Sequence, residues 1–299
     1  MPTTSHELSA APAPARRSAT WRPRYVELEG RTRLAAFETG RSDPAAPSIL
    51  LVHGFGHSTQ VAWDFVAAEL EATHRVVAFD LPAFGASSQA NGTYDLLFFT
   101  RATRAIVEAF GLHDFVLAGH SLGALVAAYY AALYPADVRS LVLLDPAGFH
   151  ATPKTFVHLL GNRFVASLAA KVRLPRKALR RWFETAVYDP ASIDEERHAA
   201  MYALSQDKTM KRGFARVYSD VVKVLLDLPA LHAKLTRYRG PVLLMWGRHD
   251  RYVPLRALAA ARSVYPQAAV AILERCGHCP SLEFPREVAA SLRAGPTSE

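Results

Sequence analysis

The sequence predicts an α/β fold with a mostly parallel sheet of eight strands, flanked by helices and interrupted once by a long helical segment. Three observations carry this. Short, continuously apolar runs such as Ser48-Ile-Leu-Leu-Val-His53 and Pro241-Val-Leu-Leu-Met-Trp246 have the brevity and bulk of strands buried on both faces. Stretches of helical composition separate them, which implies right-handed βαβ crossovers. The alternation stops at Pro146-Ala147-Gly148 and is restored only at Pro241.

In order, residues 1–21 are rich in Ala, Pro, Ser and Thr and read as a disordered tail. No apolar segment follows Arg16-Arg17, so neither a secretory nor a twin-arginine signal is indicated, and a cytoplasmic location is the default expectation. Residues 24–29 and 32–39 alternate across Gly30-Arg31 as an antiparallel hairpin at a sheet edge. Strands near 48–53, 75–80, 114–119 and 138–145 then alternate with helices near 61–72, 93–110 and 122–134. From about 153 to 235 only helical patterns occur, broken at Leu174-Pro175, Asp189-Pro190, Gly213 and Leu228-Pro229. A strand at 241–246, a helix near 255–264, a strand at 268–273 and a helix near 285–293 close the chain. The expected organisation is a core of residues 22–149 and 236–299 with a helical cap at 150–235.

With 299 residues, half of them hydrophobic and a fifth charged, the chain has the balance of a soluble globular protein. No apolar run approaches the roughly 18 residues of a membrane span. Cys276 and Cys279 provide no disulfide framework. The net charge of +8 is concentrated between His150 and Arg216, where thirteen Lys or Arg face six acids. There Arg173, Arg176, Lys177, Arg180 and Arg181 lie beside Leu174, Leu179, Trp182 and Phe183. This amphipathic arrangement fits a solvated helical face, or a surface that attracts anionic substrates or touches an acidic membrane transiently. No recognition motif accompanies the charge, so nucleic acid is not an expected partner.

Chemistry concentrates at the carboxyl ends of the strands, where open α/β sheets bind ligands. Gly119-His120-Ser121-Leu122-Gly123 lies between the strand Phe115-Val-Leu-Ala118 and a helix opening at Ala124. The flanking Gly119 and Gly123 permit a turn too tight for side chains, which lets Ser121 adopt a strained conformation and project its hydroxyl. An alkyl hydroxyl needs a base to act as a nucleophile at neutral pH, and His278, after the last strand, is the candidate. Asp250, after the penultimate strand, would hold His278 in the required tautomer. The backbone N–H groups of Leu122 and of Phe55, in His53-Gly54-Phe55-Gly56, are the candidate oxyanion donors. His53 and Gly54 shape that loop; His53, His120 and His249 are expected to be structural. Cys276-Gly-His-Cys279 lies too late in the chain for a thioredoxin-type motif and lacks further ligands for zinc. No metal site is expected.

On HGFG, GHSLG, WGRHDRYVP and CGHCPSLEFP, over roughly residues 24–294, the chain resembles the α/β-hydrolase superfamily, in its cap-bearing serine esterase and lipase branch. The resemblance implies the α/β-hydrolase fold with a helical cap after the sixth strand, and a serine, acid and histidine at Ser121, Asp250 and His278 with no cofactor. Some members place the acid after the strand following the serine turn, which here is Asp145. One departure is Ala83, where the family more often has glycine. The expected activity is hydrolysis of carboxylic esters through an acyl-enzyme. The cap's apolar residues Phe156, Leu159, Leu160, Phe164, Trp182, Phe183 and Tyr188 imply a small hydrophobic ester or related carbonyl substrate. Carbon–carbon hydrolysis of vinylogous diketones with the same residues is an alternative, and a non-catalytic ligand-binding protein on this fold is another. An epoxide hydrolase or dehalogenase would require Asp at position 121.

Overall fold

A computed structural model describes residues 6–7 (backbone), 18–28, 32–43, 45–150 and 175–295. The strands are β1 (His6–Glu7), β2 (Arg22–Leu28), β3 (Thr32–Gly40), β4 (Ser48–Val52), β5 (Arg75–Phe79), β6 (Phe115–His120), β7 (Val138–Leu144), β8 (Val242–Gly247) and β9 (Ala269–Leu273). They form one sheet in the order β1-β9-β8-β7-β6-β4-β5-β3-β2. Every pairing is parallel except β5 with β3 and β3 with β2. All eight expected strands are present. The ninth, β1, is a two-residue ladder in which His6 and Glu7 pair with Ala271 and Ile272. Two residues carry no periodicity, so the sequence offered no signal for it. Part of the expected tail is thus tied to the sheet edge, and Ala19 and Trp21 are anchored on Asp64 Oδ1 at 3.0 and 3.1 Å. The remainder of that tail lies outside the described residues.

Helices α1 (Thr59–Leu70), α2 (Leu96–Ala109) and α3 (Leu122–Leu133) form the crossovers, with Ser58 and Asp95 capping the first two by accepting the N–H groups of Val61 and Phe98. After β7 come α4 (Arg176–Glu184), α5 (Glu195–Gln206), α6 (Lys208–Val224) and α7 (Leu228–Leu235). The last part of the chain adds α8 (Leu258–Val264), α9 (Pro280–Glu283) and α10 (Pro285–Ala294). Apolar layers cover both sheet faces. Trp63, Val66 and Leu70 of α1 pack with Val288 and Leu292 of α10 on one face, and α2 and α3 bury Phe99, Ile106, Leu125 and Tyr130 on the other.

Two expectations for residues 150–235 change. Gly213 does not end a helix: α6 runs through it, and the break falls at Asp207, which caps α6 by accepting Met210 N–H at 2.7 Å. The glycine serves close approach, since a Cβ there would lie 2.7 Å from Ala83 Cβ. The helix α7 belongs to the core layer, because Leu231 and Leu235 join the main apolar cluster and His232 binds Gly148 O at 2.8 Å. Residues 151–174, including Phe156, Leu159, Leu160, Phe164 and Arg173, and the hairpin turn Gly30-Arg31, lie outside the described residues.

Ala83 has φ of 74°, the left-handed region in which glycine is favoured, which accounts for the family's preference there. Ala83→Gly removes that penalty, about 1 kcal/mol, but adds freedom to the unfolded chain, so the two terms nearly cancel. The Tm of this variant is expected to stay within about 2 °C of the parent, as read by calorimetry.

Candidate active site

Ser121 sits between β6 and α3 with φ 53° and ψ −114°, a conformation L-residues rarely adopt. The surrounding backbone enforces it: Ser121 N–H donates to Leu144 O at 2.9 Å, and Ser121 O accepts from Ala124, Leu125 and Ala147. The flanking glycines make this close packing feasible, since a Cβ on Gly119 would lie 2.3 Å from Gly123 O, and one on Gly123 2.3 Å from Val52 O. No side chain caps α3. Its positive N-terminal end and the Leu122 N–H therefore remain available beside the serine hydroxyl.

The chain brings Ser121, His278 and Asp250 together. His278 Nε2 lies 3.0 Å from Ser121 Oγ, and His278 Nδ1 lies 2.7 Å from Asp250 Oδ2. A proton on Nδ1 facing the carboxylate leaves Nε2 free to accept from the hydroxyl. Asp250 is buried, and its Oδ1 accepts the N–H groups of Tyr252 and Val253 at 2.7 and 3.0 Å. Asp145, the alternative acid, points instead to the Gly247 N–H at 2.9 Å. Burial, together with the adjacent Asp250 carboxylate, raises its carboxyl well above the usual range.

His53 pins the Phe55 loop: its Nδ1 meets Gly54 O at 2.7 Å and its Nε2 accepts Leu81 N–H at 2.9 Å. Asp80 holds the neighbouring turns by accepting the N–H groups of Thr59 and Ala86, each at 2.7 Å. His120 Nε2 bonds His278 O at 2.5 Å, and the ring of exposed His249 lies tilted against that of Tyr188 with centroids 4.7 Å apart. Burial drives the imidazoles of His53 and His120 down and that of His57 to about 3, so these three stay neutral around the relay. The thiols of Cys276 and Cys279 are both buried and raised well above their usual range by that burial, which keeps them protonated and poor nucleophiles.

A cavity of about 640 Å³ opens onto Ser121 and His278, walled largely by apolar side chains including Leu125, Leu179, Phe183, Met201, Phe214 and Leu225. Phe55 joins this wall: its ring lies 4.0 Å from that of Phe214 and 5.4 Å from those of Phe84 and Tyr218. The expected basic face of α4 is partly neutralised, because Arg176 binds Glu195 and Arg180 binds both Glu184 and Glu195. Lys177 and Arg181 are exposed, as is Trp182 at 47%. Among the described residues no helix is long and apolar enough to cross a membrane.

Sequence reasoning assigned no role to Asp80, Phe214, Tyr252 or Glu283. Tyr252, whose ring lies 5.3 Å from that of His278, stands inside the WGRHDRYVP motif, and Glu283 inside CGHCPSLEFP. Phe214 carries no comparable signal, because its partner Phe55 is remote in sequence.

This strand order and site define an α/β hydrolase. The family model described as the alpha/beta hydrolase fold matches residues 47–285, and the chain belongs to that family. It is 28% identical over 258 residues to Lipase 1 of Psychrobacter immobilis, covering 84% of this chain and 77% of that one. A solved structure of a membrane phospholipase A, a bacterial virulence factor, superposes with a TM-score of 0.69 at 26% identity, over 92% of this chain and 85% of that one. The 2-hydroxy-6-oxo-6-phenylhexa-2,4-dienoate hydrolase of Rhodococcus sp. strain RHA1 has a TM-score of 0.74 at 21% identity, over 92% and 99%, a likeness in fold. The lipase relatives support ester-hydrolysing activity for this chain.

Proposed function

We propose that the protein is a serine hydrolase of hydrophobic carboxylic esters, with Ser121 as nucleophile, His278 as general base and acid, and Asp250 as the group that orients His278. The observation that carries the reading is the continuous relay from Ser121 Oγ through His278 to Asp250, at 3.0 and 2.7 Å, on the floor of a largely apolar cavity.

Ser121 Oγ attacks the ester carbonyl carbon as its proton passes to His278 Nε2, and Asp250 stabilises the imidazolium that results. The carbonyl electron pair moves to oxygen, where the N–H groups of Phe55 and Leu122 receive the negative charge. Collapse expels the alcohol, which takes the proton from His278 and leaves an acyl group on Ser121. Water then attacks that acyl carbon with His278 again accepting a proton, and the acid leaves as Ser121 is restored. The helices α4 to α6 act as the cap that walls the acyl cavity.

The test is a series of p-nitrophenyl esters of increasing acyl length. Each methylene buried in the cavity contributes about 0.8 kcal/mol, so kcat/KM is expected to rise about threefold to fourfold per methylene until the chain fills the space. A flat series would remove the cavity from the acyl site, and absence of turnover combined with cleavage of a vinylogous diketone would replace the ester reading. In the same assay Asp250→Asn is expected to lower kcat about 10⁴-fold by reversing the histidine tautomer. Asp145→Asn, whose amide oxygen can still accept the Gly247 N–H, is expected to keep kcat within about tenfold. Equal losses in the two variants would contradict the assignment of the acid.

A further inference from the structure

The loop that carries His278 is fastened to the chain leaving α4. His278 N–H donates to Ala186 O at 2.6 Å, and Gly277 N–H donates to Glu283 Oε1 at 2.8 Å. Glu283 Oε2 accepts the Tyr188 N–H at 2.6 Å. Segment 185–188 and the histidine loop are therefore joined twice, once directly and once through a carboxylate only 8% exposed. The fit is tight, since a Cβ on Gly277 would lie 2.6 Å from Ala186 O. Thr185 Oγ1 and Tyr252 OH, 2.9 Å apart, extend the contact towards Asp250.

We propose that Glu283 is a positioning residue for His278: its carboxylate locks the histidine loop to the segment following α4, so that the base is correctly placed only while that segment is docked. The inference rests on His278 being the general base. A carboxylate suits the task because its two oxygens accept N–H groups from opposite sides, one from each segment. Once protonated it keeps a hydroxyl that donates, and one of the two bonds is lost.

That loss lies within reach of ordinary pH. Burial pushes the Glu283 carboxyl up to about 7, opposed by the N–H groups of Tyr188 and Gly277, the Cys276 thiol 3.4 Å away and the Cys279 backbone. The other titratable groups around it are Asp145 from the end of β7, its carboxyl raised as described, and the two buried thiols of its own loop. From α1 comes apolar Val61, clustered with Val187, Cys279 and Leu282, while Asp64 of that helix is paired with Arg197. Arg275, on the loop's outer side, lies over the Tyr188 ring. As pH falls through 7, Glu283 takes up a proton and releases the loop. That proton steepens the acid limb of log(kcat/KM).

The experiment compares pH–rate profiles of the wild-type chain, Glu283→Gln and Glu283→Asp, with Tm measured for each. Glu283→Gln, of equal size, retains one acceptor oxygen and does not titrate. It is expected to lower kcat about 10- to 100-fold with KM within threefold, and to make the acid limb shallower than that of the wild type. Glu283→Asp, which keeps the charge on a shorter arm, is expected to lose kcat and retain the steep limb, and it decides the matter alone if the glutamine variant does not fold. An equal slope in wild type and Glu283→Gln, or a lowered Tm with kcat and slope unchanged, overturns the proposal. His278→Ala separates the two ideas: full activity in it removes the base assignment itself, whereas an inactive His278→Ala beside a fully active Glu283→Gln removes only the role of Glu283.

Discussion

Replacing Ser121 or His278 by alanine is expected to reduce kcat for an activated ester by about 10⁶-fold, and combining the two substitutions is expected to cost no more than either alone. The relay explains the non-additivity. Without Oγ, His278 has no proton to accept in the first step; without His278, the hydroxyl 3.0 Å away remains a neutral and weak nucleophile. Neither side chain contributes to the core, and Ser121 and His278 are both only half-buried, so Tm is expected to stay within a few degrees. Losses that multiply in the double variant would mean that the two groups act independently, which the geometry does not allow.

The second large effect is structural. Gly123 occupies the first turn of α3, where helix propensity alone would favour alanine by about 1 kcal/mol. Packing reverses the sign. A Cβ at this position would lie 2.3 Å from Val52 O and 2.4 Å from His53 O, and both are backbone atoms of the neighbouring strand end that cannot rotate away. Relief requires α3 to separate from β4, which costs about 1–3 kcal/mol and also draws the Leu122 N–H away from the Phe55 N–H. A shift of about 1 Å at a reacting centre typically costs 10²-fold in rate. Gly123→Ala is therefore expected to lower Tm by about 5 °C and kcat by about 100-fold or more, read by thermal unfolding and ester turnover on the same preparation. An unchanged Tm and rate would show that the turn tolerates a side chain and is not the tight element described.

What was legible in the sequence follows from how local each signal is. Strands buried on both faces announce themselves as apolar runs, and the serine turn announces itself because two glycines and a serine must fall within five residues. Asp250 and His278 were readable as residues following strands, which puts them at the same sheet edge whatever lies between. Contacts that depend on distant partners were not readable. Gly213 read as a helix break, because glycine has the same appearance whether it ends a helix or admits the Ala83 methyl. The core position of α7 is set by Leu231 and Leu235 meeting α3, and no pattern within α7 itself distinguishes that from a cap helix. Glu283 was visible in its motif, yet its role depends on Tyr188, ninety-five residues away. Asp145 was the less favoured alternative for the acid, and the geometry separates the two: Asp250 Oδ2 meets His278 Nδ1 at 2.7 Å, whereas Asp145 Oδ1 accepts the Gly247 N–H.

The central claim is that Ser121 is an activated nucleophile, and covalent labelling by a fluorophosphonate tests it most directly. The account predicts one adduct per chain, located on the peptide containing Ser121, forming in step with the loss of ester turnover and absent from both Ser121→Ala and His278→Ala. An adduct on another residue, or turnover that survives in Ser121→Ala, would contradict it.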